Sequence, residues 1–248
     1  ICTIVLIFSC AADSSAISIP DEKELGKKFM KMINKRQMTL KDPIAQHFIN
    51  QIGQHILSVL PPQPFKYSFY LIDEDVFNAF AAPSGMIFFY RGLITSLDSV
   101  DELAGIVGHE IAHAVSRHVS ESIDRSKYIN IGSLAGVLAG AIIGSQTNSD
   151  ATSTIIKGSL ALGQTTMLAY TRENETEADE KGIMFLKNTC FSPFGLLSGL
   201  NKIRLSDFRG VEGIPDYVKT HPGTGKRIAH TESILSNYKH DPQKTACR

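Results

Sequence analysis

The stretch VGHEIAHAVSRH, residues 107–118, sets three histidines and a glutamate into one short run. His109 and His113 are four apart. On a helix that spacing is about 40° beyond one turn, so the two imidazoles share a face, one above the other. Two imidazoles at that separation can share a tetrahedral zinc ion, and Glu110 stands beside the first of them. His118 does not fit the same geometry. On a continuing helix it lies about 180° around from His109 and about 140° from His113. The extended pattern in which a third histidine binds the metal needs glycine at 116 and histidine at 119, where this chain has Ser116 and Val119. His118 is therefore expected on polar surface or in a layer behind the ligands. Ser99 and Glu102 have the spacing of a capping box. The helix is expected from near Ser99, through Leu103, Ile106, Val107 and Ile111, to about Ile123.

A catalytic zinc site needs a third protein ligand. The segment TRENETEADEKGIMFLKN, residues 171–188, reads as a helix with Glu175 and Asp179 four apart on one face. Ala178 and Gly182 lie near that face and are small enough to admit another helix. Acidic residues at this spacing commonly form a solvated helix face. With HEIAH in the same chain, the reading preferred is Glu175 as ligand and Asp179 as the carboxylate that takes the free N–H of a ligand histidine, fixing its tautomer.

Around these two helices the chain alternates helical and extended patterns. Apolar residues recur at helical spacing over 21–36 and 42–59, and LPPQP stops the second run. FKYSFYLID alternates and is rich in aromatics, so it reads as a strand. NAFAAPSGMIFFYRGLI gives two short extended pieces around a turn at 83–85, and together these suggest a small antiparallel sheet. Ser192-Pro193 opens a helix, the stretch 207–225 reads as loop, and a last helix is expected over 225–237. Residues 128–146 carry no charge and place glycine at 132, 136, 140 and 144. A tightly packed helix or a flap near the site is favoured over a membrane span, because Gly and Ala are weakly apolar and Asn130 and Ser133 interrupt.

Lys+Arg and Asp+Glu balance at 25 each, so no basic field exists to recruit nucleic acid. Hydrophobic residues make up 43% of the chain, which is enough for a sizeable core. None of the four cysteines falls in a CxxC pair, which argues against a cysteine zinc site. Cys10 ends the apolar run ICTIVLIFSC. The run resembles the tail of a lipoprotein signal, with Cys10 as the lipidated residue, and that reading is preferred over a short buried strand. Residues 1–20 are thus expected to be signal and anchor, and 21–248 a single domain. In an exported protein Cys190 and Cys247 could pair as a disulfide.

HEIAH at 109–113 with ETEAD at 175–179 resembles the gluzincin metallopeptidases of family forty-eight. That group holds the CAAX prenyl proteases, the mitochondrial Oma proteases and compact bacterial envelope proteases such as BepA and LoiP. Two further segments carry the likeness: NAFAAPSGMIFFYRGL, with Ser84 where the family has glycine, and THPGTGKRI at 220–228. The resemblance implies an α+β fold, a mostly helical zincin with a small sheet beside the active-site helix. It implies one zinc ion per chain on His109, His113 and Glu175, with Glu110 as general base and water in the fourth position. In the same terms His221 either stabilises the oxyanion or approaches the open metal position, and Arg227 anchors its loop. Gly85, Met86, Ile87 and Phe88 belong either to an edge strand that binds substrate backbone or to ordinary core sheet. The function implied is endopeptidase cleavage of misfolded or unassembled envelope polypeptides, in the periplasm, with membrane contact through Cys10. Two other readings use the same residues: a zinc-binding chaperone with little hydrolysis, and a purely structural zinc site with a closed four-ligand shell.

Overall fold

The computed structural model describes residues 17–125, 170–208 and 216–238, and elements are numbered among these. Cys10, the uncharged segment 128–146 and Cys247 lie outside the described residues. Cys190 is disulfide-bonded.

Helix α1 (Ile19–Lys35) starts where Ser18 accepts a hydrogen bond from the Asp21 amide, and it buries Leu25, Phe29 and Ile33. Helix α2 (Pro43–Leu57) is capped by Asp42, which accepts from the amides of Ile44 and Ala45. Its Ile49, Ile52 and Ile56 face the core at helical spacing.

Strands β1 (Ser68–Ile72), β2 (Ala79–Ala82) and β3 (Met86–Tyr90) form a sheet in the order β1-β3-β2. The sheet is mixed, whereas the sequence suggested an antiparallel one. β2 and β3 pair antiparallel, but β3 inserts beside β1 in parallel register, Ser68 against Met86 through Ile72 against Tyr90. Residues 73–78 carry the chain two strand positions from β1, and β3 fills the gap. The expectation of an edge strand at 85–90 is overturned for the same reason. With β1 on one side and β2 on the other, the β3 backbone is paired on both edges. The edge strands are β1 and β2, and the outward carbonyls of the buried β2 face His221 and Tyr170.

Both faces of the sheet are covered, which is why MIFFY reads as an unbroken apolar run. On one face Tyr70, Phe88 and Phe80 sit opposite one another across the three strands, with centroids 5.0 and 4.9 Å apart, and Phe29 of α1 packs edge-on to Phe88 at 5.6 Å. Each such aromatic pair contributes about 0.5–1.5 kcal/mol beyond its buried area. Behind the other face Gly53 of α2 meets the Phe69 ring. The turn before β3, Pro83–Gly85, holds Ser84 at φ 71° and Gly85 at φ 76°. Both angles favour glycine, which accounts for the glycine that Ser84 replaces in the resembled pattern.

After α3 (Arg91–Ser96) comes the central helix, α4 (Val100–Val115). Ser99 caps it by accepting from the Glu102 amide. Every residue from Glu102 to Ala114 is buried, so the small residues Ala104, Gly105, Gly108 and Ala112 are where neighbours come close. α4 ends at Val115 rather than near Ile123. Arg117 takes a left-handed φ of 56°, and a new helix, α5 (His118–Arg125), starts at once. No glycine marks this break. Glu22 of α1 holds the arginine instead, with Oε2 2.9 Å from Nε and 2.6 Å from Nη2, and Ile17 O accepts a further bond from Nη2 at 2.6 Å.

Two helices flank α4. α6 (Arg172–Lys187) begins with a full capping box between Thr171 and Asn174, and α7 (Phe194–Phe208) follows Ser192-Pro193. These make the most extensive contacts with α4. A Cβ on Gly182 of α6 would lie 3.2 Å from the His109 amide nitrogen, and one on Gly195 of α7 would lie 1.9 Å from Asp101 O. Close approach on both sides thus depends on missing side chains. The stretch 207–225, read as loop, contains a short helix, α8 (Asp216–Thr220), before α9 (Thr224–Leu235). Among the described residues no helix is long and apolar enough to cross a membrane.

Candidate metal centre

His109 and His113 project from α4 toward α6, and both are fully buried. α6 turns Glu175 and Asp179 to meet them. His221, between α8 and α9, arrives from a third direction. His109 Nε2 lies 3.0 Å from His113 Nε2 and 3.4 Å from His221 Nδ1. Glu175 Oε1 lies 3.3 Å from His113 Nε2 and 3.1 Å from His221 Nδ1, and its Oε2 lies 3.6 Å from His109 Nε2. Two atoms each bound at about 2.0–2.1 Å to a tetrahedral zinc ion stand about 3.3–3.4 Å apart. The four donors, all within 4.8 Å of one another, match that spacing.

Proton placement makes the same point. His109 Nδ1 faces Asp179 Oδ1 at 2.9 Å, which places a proton on Nδ1 and a lone pair on Nε2. His221 Nε2 faces the Ala79 carbonyl at 3.3 Å, which leaves its Nδ1 lone pair aimed at the same point. With the Glu175 carboxylate these lone pairs converge in a fully buried interior, an arrangement that a cation between them would satisfy. Without metal a proton does part of that work. Burial and Arg227 both lower the His109 pKa, yet the bonds to Asp179 and Glu175 outweigh them and raise it to about 9. At His113 burial prevails and holds the pKa well below the ordinary histidine value.

Arg227 neutralises the far side of the site. From α9 it donates to both oxygens of Asp179, Nε to Oδ2 at 2.8 Å and Nη2 to Oδ1 at 2.7 Å. Its Nη1 lies 2.5 Å from Glu175 Oε2, an ion pair without hydrogen-bond alignment. Burial would raise both carboxyl pKa values, but Arg227 together with the facing histidines more than offsets it. Glu175 is held well below the ordinary range and Asp179 below it.

Glu110 is the exception in this crowded interior. It is fully buried, and among the described residues neither of its oxygens has a hydrogen-bond partner. His221 Nε2 is 3.6 Å from Oε1. Burial pushes the Glu110 carboxyl up and the Glu175 charge adds to the rise, against the opposing effect of His221, His109 and Arg227. A carboxylate left this way has the basicity and the open coordination to take a proton from a water molecule. The residues present fit a zinc ion with a proton acceptor beside it.

The chain belongs to peptidase family M48. The family model matches residues 43–235, which span α2 to α9 and enclose every residue of the site. Peptidases of family M48 use zinc. The chain is 28% identical over 215 residues to the beta-barrel assembly-enhancing protease of Escherichia coli strain K12, covering 87% of this chain and 44% of that protein. It is 27% identical over 228 residues to the Yersinia pestis protein of the same name, covering 92% and 46%. To the mitochondrial metalloendopeptidase OMA1 of Schizosaccharomyces pombe it is 27% identical over 188 residues, covering 76% and 52%. The chain thus spans about half the length of these relatives.

The structure brings together His109, Glu110, His113, Glu175, Asp179, His221 and Arg227, all expected at the site. It does not bring Gly85, Met86, Ile87 and Phe88 there as an open edge, since they lie in the turn and the central strand. Two aromatic neighbours were not anticipated. Tyr170 stacks on His113 with centroids 3.7 Å apart and directs its hydroxyl to Ala81 O at 3.5 Å. Tyr217 stacks on His221 at 4.2 Å. Tyr217 stands four residues before His221, a helical spacing that could have signalled it. Nothing local marks Tyr170.

Proposed function

We propose that this chain carries the catalytic domain of a zinc-dependent endopeptidase that hydrolyses misfolded or unassembled polypeptides of the bacterial cell envelope. The observation that carries the reading is the buried meeting of His109, His113 and Glu175 beside the Glu110 carboxylate, which has no hydrogen-bond partner among the described residues. His109, His113 and Glu175 hold the metal, and Asp179 and Arg227 fix His109 and Glu175. Zinc, when bound, acts as a Lewis acid and lowers the pKa of water at the site. Glu110 takes the water proton and delivers it to the leaving amine. His221 reaches the donor set, the second of the two roles the sequence left open for it, and must withdraw for water to enter.

Substrate main chain pairs along the outer edge of β2, which is buried and becomes reachable as His221 and Tyr170 give up its carbonyls. The outward carbonyls there, Ala79 and Ala81, face His221 Nε2 and the Tyr170 hydroxyl. Backbone pairing discriminates little by side chain, which suits unfolded chains as substrates. An extracytoplasmic location is supported by the disulfide at Cys190 and by the bacterial relatives. In this reading the leader and lipid anchor lie ahead of Ile17, with Cys10 as the anchored residue. The domain starts a few residues earlier than 21, because Ile17 and Ser18 already hold Arg117 and cap α1.

The test is incubation of zinc-loaded protein with an unfolded outer-membrane β-barrel protein, with and without chelator. Cleavage by wild type, abolished by chelator, is expected. Glu110→Gln is expected to keep one zinc per chain and lose about 10²–10⁴ in rate. Cleavage by Glu110→Gln at the wild-type rate would remove Glu110 as base. The closed donor set favours a second reading, in which zinc is held shut and chains are bound without being cut. Wild type separates the two: chelator-sensitive cleavage is expected in the first, and binding of the unfolded chain without cleavage in the second.

A further inference from the structure

We propose that His118 is the positioning residue of His113: it accepts the Nδ1 proton of that histidine, holds its own proton on Nε2 toward Glu177, and so makes His113 present Nε2 to the metal. The inference rests on the zinc reading above and assigns a role to the third histidine of the run.

His118 is 1% exposed, far from the polar surface position that a continuous helix would give it. The break at Arg117 swings it back under α4, and its Nδ1 comes 2.8 Å from His113 Nδ1. Two imidazole nitrogens at that distance share one proton. If His113 is to offer Nε2 to the metal, it must be neutral and carry its proton on Nδ1. His118 Nδ1 is then the acceptor, and the remaining His118 proton sits on Nε2. That nitrogen lies 3.3 Å from Glu177 Oε2 on α6. Glu177 is fixed in turn, since Lys181 Nζ lies 2.5 Å and Ser116 Oγ 3.2 Å from its Oε1. Every proton in the series then has one donor and one acceptor. Tyr170 stacked on the His113 ring leaves rotation about the ring plane as the freedom to be removed, and the Nδ1 bond removes it.

The two ligand histidines are therefore oriented by different chemistry. His109 leans on a carboxylate directly, whereas His113 reaches one only through a second imidazole. A neutral acceptor orients His113 without placing a charge next to the metal face of α4. The left-handed turn that makes this possible depends on Glu22, whose carboxylate holds Arg117 and also accepts from the Ser84 amide at 3.0 Å.

The test compares wild type with His118→Phe, which keeps the ring but lacks the acceptor, and with His118→Asn, which restores an acceptor oxygen. Zinc affinity is read by competition with a chromophoric chelator. His118→Phe is expected to weaken zinc on the order of 10–100-fold, and His118→Asn to recover most of that loss. Side-chain nitrogen NMR of the zinc-loaded wild type is expected to show the proton of His113 on Nδ1 and that of His118 on Nε2. This readout decides the matter even if His118→Phe does not fold. A His118 proton on Nδ1, unchanged zinc affinity in His118→Phe, or no recovery in His118→Asn overturns the proposal while the metal site stands. Wild type that takes up no zinc sinks the metal reading itself.

Discussion

The two sides of α4 do opposite things with the same helix. Toward α6 it turns His109 and His113 into a cluster of buried charges and lone pairs, closed by Arg227 from α9. Toward α7 it turns Gly105 and Ile106, and the partner helix answers with Gly195, Leu196 and Gly199, so close that a Cβ added to any of these glycines would press on the facing helix. The first side has well-placed polar partners but much desolvation to overcome. The second side is held by shape and burial. The metal face is thus backed by a rigid apolar one, which fixes the helix so that its two imidazoles meet α6 at the right height.

The comparison is broken most strongly at Arg227. Arg227→Met leaves Glu175 and Asp179 buried without their counter-charge, and the metal-free protein is expected to lose about 3–5 kcal/mol in urea unfolding. Zinc supplies positive charge to the same carboxylates, so the loss is expected to shrink when metal is bound. An equal loss with and without zinc would show that the arginine acts by packing alone. Asp179→Ala is expected to weaken zinc about 10–100-fold by freeing the His109 ring, read in the chelator competition. On the apolar side Gly195→Ala drives a methyl into Asp101 O. It should cost about 1–3 kcal/mol by calorimetry and leave zinc stoichiometry as in wild type. A loss of zinc from Gly195→Ala, with the fold retained, would mean that the two faces are coupled more tightly than proposed.

The smallest expected effect is on acid stability. Glu175 and Asp179 on the metal side have pKa values below their ordinary ones, and so does Glu102 on the other side, where Ser198, the Asp98 amide and Lys202 prevail over burial. A carboxylate of depressed pKa stabilises the fold fully above its unfolded value. That contribution is lost as pH falls through the folded value. The carboxylate contribution in the metal-free protein is therefore expected to hold down to about pH 4.5 and to fall below that. An earlier loss is expected to begin at about pH 6.5, because His113 is held neutral by burial. Urea midpoints across pH follow both. Arg227→Met should flatten this dependence more than Lys202→Met does, because two of the three carboxylates answer to the arginine. A steeper dependence in Arg227→Met would contradict the charge assignments.

The ligand pattern was legible in the chain because it is local. His109 with His113, and Glu175 with Asp179, each sit one helical turn apart, and the caps at Ser99 and Thr171 place both helices by short-range hydrogen bonds. The apolar periods of α1 and α2 and the strand at β1 were readable for the same reason. The helix break after Val115 was not. Arg117 has a side chain and no local excuse for a left-handed angle, and its conformation is held by Glu22, 95 positions earlier. The central place of β3 was equally hidden, since an apolar run of five residues reads alike at an edge and in the middle of a covered sheet.

The amino-acid order by itself determined the chemistry: two imidazoles and two carboxylates at helical spacing, with a glutamate beside the first histidine. Their surroundings come from the tertiary structure: the reach of His221 to the donor set, the stacking of Tyr170 on His113, the return of His118 to the back of the site, and the place of β2 at the sheet edge beside His221. Spacing within one helix follows from the geometry of a single hydrogen-bonded backbone. These other relations depend on contacts between segments far apart in the chain, and no short stretch of sequence contains them.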